Sequence, residues 1–161
     1  MIQSTEHSKR AFREYIFFVV IGLLMVAFVG LKIWQNRWPE TVIHFGGEDL
    51  TVLVANTAEH RHRGLGGKDS LRPFDGMLFV FPKSDQHGFV MRDMRFPIDI
   101  VWIQGGKVVD IASNVPIELG VSEEALAVYY PRLPANLVLE FPAGWVLAHS
   151  IAIGDELTLG Q

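Results

Sequence analysis

Two hydrophobic spacings divide the chain. From Tyr15 to Leu31 no residue is charged, and Ile33 and Trp34 extend the apolar run past a single Lys32. About twenty such residues cross the hydrocarbon layer of a bilayer, so this pattern predicts a transmembrane helix over residues 15–34. Lys32 would snorkel to the interface beside a belt of Trp34 and Trp38. A cleaved signal peptide is the alternative, but the run is long for one and no small-x-small cleavage site follows it.

After Pro39 the apolar positions fall into short runs. Thr41 to Phe45 and Leu50 to Ala55 flank Gly46-Gly47-Glu48-Asp49 as a hairpin would. Asn56 or Thr57 is placed to cap a short helix through residues 58–63, stopped by Gly64. Met77 to Phe81 is apolar on both faces, as a covered central strand is. Gln104-Gly105-Gly106-Lys107 reads as a two-residue turn between Ile98–Ile103 and Val108–Ala112. Leu137 to Phe141 is a further strand, residues 142–150 a short helix, and the turn at residues 153–157 leads into a last strand. The prediction is a mainly β fold: a compact sandwich or barrel-like antiparallel sheet with one or two short helices, preceded by a single transmembrane helix. Its divisions are a cytoplasmic segment 1–14, the helix 15–34, a linker 35–40 and an extracytoplasmic β-rich domain 41–161.

Gly88 to Ile103 breaks the apolar pattern with charge. At a period of two, Phe89, Met91 and Asp93 share one face of a strand and Val90, Arg92 and Met94 the other. Past Arg95-Phe96-Pro97, Asp99 alone interrupts an apolar run. A buried carboxyl costs several kcal/mol unless it is paired or protonated. A hairpin would bring Asp99 within reach of Arg92 or Arg95. The structural reading, with backbone donors or an arginine fork holding Asp99, is favoured over a catalytic acid.

Composition narrows the chemistry. The 161 residues have a formal net charge of −4, which offers no basic face for nucleic acid, and no cysteine, which removes thiol nucleophiles, disulfides and thiolate metal sites. Lys9, Arg10 and Arg13 precede the apolar run while Lys32 and Arg37 follow it, favouring a cytoplasmic N-terminus and a domain on the far side of the membrane. His60 and His62, two apart on a helix, point away from one another and cannot share a metal ion. Gly64 to Lys68 lacks the spacing of a phosphate loop. No metal or cofactor is implied.

Three functions are weighed. The first is a membrane-anchored extracytoplasmic binding or accessory domain, its partners the bilayer through residues 15–34 and an envelope glycan or protein. Binding candidates are Arg92, Asp93, Arg95, Asp99, Tyr129 and Tyr130, although both tyrosines serve equally well to pack the long loop at residues 114–134 onto the sheet. The second is a structural interaction domain without a ligand. The third is a hydrolase using Asp99 and Glu140 as acid and base, or Asp99 with His87 or His149.

Taken in order, Arg63-Gly64-Leu65, Gly76-Met77-Leu78-Phe79-Val80-Phe81, Met91 to Ile103 with Pro97-Ile98-Asp99-Ile100, Val138-Leu139-Glu140 with Gly144, and Gly154-Asp155 make the chain from about Thr51 to Leu159 resemble the prokaryotic domain of unknown function 192 family. The resemblance implies a compact, mostly β domain, commonly behind a signal or membrane segment, without an established activity. Two places depart from the family pattern. Gly66 stands where Met follows Gly-Leu, and Val90 to Met94 stands where the pattern is closer to Trp-Met-Lys-Asn-Thr.

Overall fold

The computed structural model describes residues 3–35 and 38–160, divided into a unit of residues 1–37 and a unit of residues 38–161. The first unit is a helix, α1 (Gln3–Gln35). Its described side chains, those of residues 15–31, are all exposed. Among the described residues no helix is long and apolar enough to cross a membrane. The expectations placed on Lys9, Arg10, Arg13, Lys32, Trp34 and Arg37 fall on side chains outside those described.

The second unit is built on one sheet. Its elements are β1 (Glu40–Phe45), β2 (Glu48–Ala55), α2 (Ala58–Arg63), β3 (Gly76–Asp85), β4 (Ile98–Gln104), β5 (Lys107–Val115), β6 (Ala135–Pro142), α3 (Trp145–Ala148) and β7 (Thr158–Leu159), with a 3-10 turn at Glu123–Ala125. The strands lie in the order β5-β4-β6-β3-β2-β1-β7. Every pairing is antiparallel except β2 with β3, whose parallel register sets Val52 beside Gly76. The expected all-antiparallel sheet is corrected there, because the crossover through α2 returns the chain in its original direction.

Local chemistry explains the elements. Gly46 and Gly47 (φ 64 and 83) form the turn of the first hairpin, and Gly105 and Gly106 (φ 57 and 77) that of the β4–β5 hairpin, in the left-handed conformations such turns require. Thr57 caps α2 by accepting from the His60 N–H at 3.1 Å, and Gly64 ends it. The stretch from Gly88 to Pro97 is not the predicted strand. It is an irregular segment touching strand geometry only at the Phe89–Tyr129 bridge, because Asp93 turns it with a φ of 54.

Each sheet face carries its own core. On one, Met77, Phe79, Ile100, Trp102 and Val138 are covered by Leu65, Leu71, Phe89, Met91 and Met94 from the irregular segments. On the other, Ile43, Phe45, Leu78, Val101, Leu139 and Phe141 are covered by Val146, Ile151 and Leu157. The sheet curls until its ends meet. Val108 bonds Asp155 and Gly154, Leu157 bonds Gly106, and that segment runs directly into β7 on the far edge.

Candidate functional site

Strand alternation assigns the two buried acids of the central strands to opposite layers. Asp99 faces Phe141 across β4 and β6 and points into the core of Val101 and Leu139. Glu140 stands opposite Ile100 and Met77 and points into the core of Phe79 and Trp102. The sheet therefore separates Asp99 from Glu140, and an acid–base pair made of the two is excluded. Asp99 is fully buried, and its two oxygens accept from the Asn114 N–H at 2.7 Å and the Val146 N–H at 2.9 Å. It pins β5 and the first turn of α3 to β4. The ion pair expected with Arg92 or Arg95 is not formed, because backbone donors saturate this carboxyl and each arginine is drawn elsewhere. Arg95 bonds Asp69 at 2.6 Å, out in solvent. His87 stacks on Phe81 and His149 on Trp145, so neither completes a pair with Asp99.

Glu140 has no such donors. It is 6 % exposed, its Oε2 has no hydrogen-bond partner, and it lines a cavity of about 270 Å³. Burial pushes its carboxyl up to a pKa of about 8, so near neutral pH the group holds its proton and can donate as well as accept. Phe79, Phe81, Phe89 and Met94 form apolar walls, and Arg61, Arg63 and Arg92 the cationic ones, with His62 beside them. Phe89 meets Phe79 and Trp102 edge to face at centroid distances of 4.9 and 6.1 Å, which stiffens that side. A buried polar group without a partner is uncommon in a folded protein. Here it sits beside open space. A larger hollow of about 800 Å³ between residues 69–75 and Trp145 has no comparable feature, its polar lining residues Asp69, Ser70, Arg72 and Asp75 all being exposed.

Arg92 ties the cavity wall together. Its Nη1 donates to the His62 carbonyl at 2.9 Å and lies 3.4 Å from both nitrogens of the His62 ring, while Nη2 meets Glu123 at 2.5 Å. Arg61 donates to the carbonyls of Asn56 and Val80 and covers Phe81. Gly66 brings this wall close, since a Cβ there would lie 2.9 Å from the Arg92 carbonyl oxygen. The larger residue of the family pattern does not fit the backbone approach made here.

The remaining candidates do not line the cavity over Glu140. Asp93 is exposed, and its carbonyl accepts from the Gly67 N–H at 2.9 Å. Asp and Asn both tolerate the left-handed conformation found there, so the departure from the pattern leaves the turn intact. Tyr129 is half-buried against the core and exchanges backbone bonds with Phe89, and Gly88 leaves the space that Tyr130 occupies. Tyr129 packs the loop onto the core, whereas Tyr130 is 63 % exposed. His60 is buried and stacked on Trp38 at 4.3 Å. Sequence reasoning missed the link between Asp110 and Arg132. The Asp110 oxygens accept the Arg132 side chain at 2.7 to 3.1 Å and its backbone N–H at 2.6 Å. The only sequence signal was an acid at an inward position of β5.

The family model described as DUF192, Uncharacterized ACR, matches residues 41–159. Among solved structures, the chain is similar to a candidate transcription regulator from Sinorhizobium meliloti 1021, at 28 % identity and a TM-score of 0.67 over 75 % of this chain and 94 % of that one. It is also similar in fold to a protein of unknown function from Novosphingobium aromaticivorans DSM 12444, at 22 % identity and a TM-score of 0.62 over 74 % of this chain and 84 % of that one. A comparison with curated proteins finds no match.

Proposed function

For a chain that belongs to the domain of unknown function 192 family, we propose that the β domain is an extracytoplasmic small-molecule binding module, tethered to the membrane by its N-terminal helix, whose ligand enters the cavity over Glu140. The observation that carries the binding reading is Glu140 itself: a buried, partnerless carboxyl lining a hollow walled by phenylalanines and arginines. Leaving such a group unsatisfied costs about 1–3 kcal/mol, and a bound hydroxyl, amide or acid group would recover part of it. Mixed apolar walls with a few convergent polar groups are the usual form of small-ligand sites. The tether is supported by the charge-free run from Tyr15 to Leu31 and by the basic residues Lys9, Arg10 and Arg13 ahead of it. Sugars, sugar acids and aromatic acids carry the mixture of polar and apolar groups that such walls would meet.

The Sinorhizobium relative is named as a transcription regulator, a role that would call for a basic face if it were exercised on nucleic acid. Nothing here favours that for this chain, with its net charge of −4 and with Arg61, Arg63 and Arg92 turned around a cavity of about 270 Å³. The test is a panel of monosaccharides, sugar acids and aromatic acids titrated into methyl-labelled protein. Binding compounds should shift the Met94 methyl and lose at least about tenfold in affinity in Glu140→Leu. Ligands that bind equally well to that variant would refute the assignment.

A further inference from the structure

The cavity wall holds a guanidinium whose hydrogen bonding is incomplete. Arg92 spends Nη1 on the His62 carbonyl and Nη2 on one oxygen of Glu123, and its buried Nε–H has no partner. A carboxylate makes most of an arginine by spanning two parallel N–H groups of one edge. Glu123 takes only one. Arg92 also stands between two hollows: besides the cavity over Glu140 it lines a neighbouring one of about 220 Å³, bounded on its far side by Glu118, Leu119, Gly120 and Glu123. The Glu123 side chain is 57 % exposed and projects from a 3-10 turn of only Glu123–Ala125, so it leaves its partner at little cost.

We infer that Glu123 is a built-in stand-in for a carboxylate ligand. The carboxylate of a small organic acid takes the Nε and Nη2 edge of Arg92, Glu123 is released, and the ligand's apolar or aromatic body lies between Phe79, Phe89 and Met94 above Glu140. This inference rests on the cavity being a ligand site and adds the class of ligand and the internal competitor that holds the site closed. A neutral molecule of the same shape would enter without displacing Glu123, and a compact inorganic anion would gain nothing from the phenylalanine walls.

The test uses the full chain in detergent micelles, labelled at arginine and methionine, with phenylacetate and its neutral amide, phenylacetamide, as probes. Phenylacetate should move the Arg92 Nε–H resonance, bind Glu123→Gln about tenfold more tightly than the parent, and bind Arg92→Lys about tenfold more weakly, since lysine keeps the charge but not the fork. Phenylacetamide should bind parent and Glu123→Gln alike. Equal phenylacetate affinity in parent and Glu123→Gln would overturn the inference, as would full affinity in Arg92→Lys. Failure of phenylacetate to bind any of the three proteins overturns it too. In that case, Met94 shifts with phenylacetamide that vanish in Glu140→Leu would leave the cavity reading standing, and their absence would remove both.

Discussion

Glu140 makes the molecule sensitive to pH in the direction opposite to that of most carboxyls. Its folded pKa of about 8 lies above the ordinary value of 4.5, so between those limits the native state keeps a proton that the unfolded chain gives up. Stability then falls as pH rises through that window, by up to about 1.4 kcal/mol per pH unit, and levels off above it. Denaturant melts across the range should show that slope in the parent protein and lose it in Glu140→Gln. Asp99 gives a contrasting expectation. Asp99→Asn turns one accepting oxygen into a donor facing a backbone N–H, so it should cost roughly 1–3 kcal/mol in the same assay while leaving cavity ligands unaffected.

Elements with strong local signals were legible in advance. Thr57 and Gly64 bound α2, glycine pairs mark the two hairpin turns, and the apolar run at Met77 marks β3. The segment from Phe89 to Met94 was not, because its residues alternate as a strand's do while its backbone bends to lay Phe89, Met91 and Met94 in one core with Trp102. Glu140 was legible as a candidate but not its layer, since the face a side chain takes depends on register with β3 and β4. The arginines that face it come from elements distant in sequence. The long loop owes its position to Asp110, whose pKa is lowered chiefly by the hydrogen bonds from the Arg132 side chain. A depressed carboxyl contributes stability above its unfolded pKa and loses it as pH falls through the folded one, so this clasp weakens below the ordinary carboxylate range. Asp110→Asn should speed amide hydrogen exchange at Tyr129 and Phe89, the bridge that the loop forms over the cavity.

At the scale of the whole molecule, the sequence alone yields the mainly β class, while the parallel β2–β3 pair and the meeting of the sheet's ends depend on contacts far apart in the chain. The proposed topology is open to a direct check because the chain has no cysteine. A thiol introduced by Lys83→Cys, on the exposed end of β3, should react with a membrane-impermeant maleimide in intact cells, and one introduced by Ser4→Cys should not. Labelling of both or of neither would reject a cytoplasmic N-terminus with an external domain.

The place of β1 also has a mechanical consequence. It is the first strand after residues 38–39, yet it is held on both sides, by β2 along its length and by β7 at His44 and Ile43. Releasing β1 therefore means breaking backbone bonds to two neighbours and not to one. Such a strand should resist fraying at the point where the chain enters the domain, although an entering strand is ordinarily the first to open.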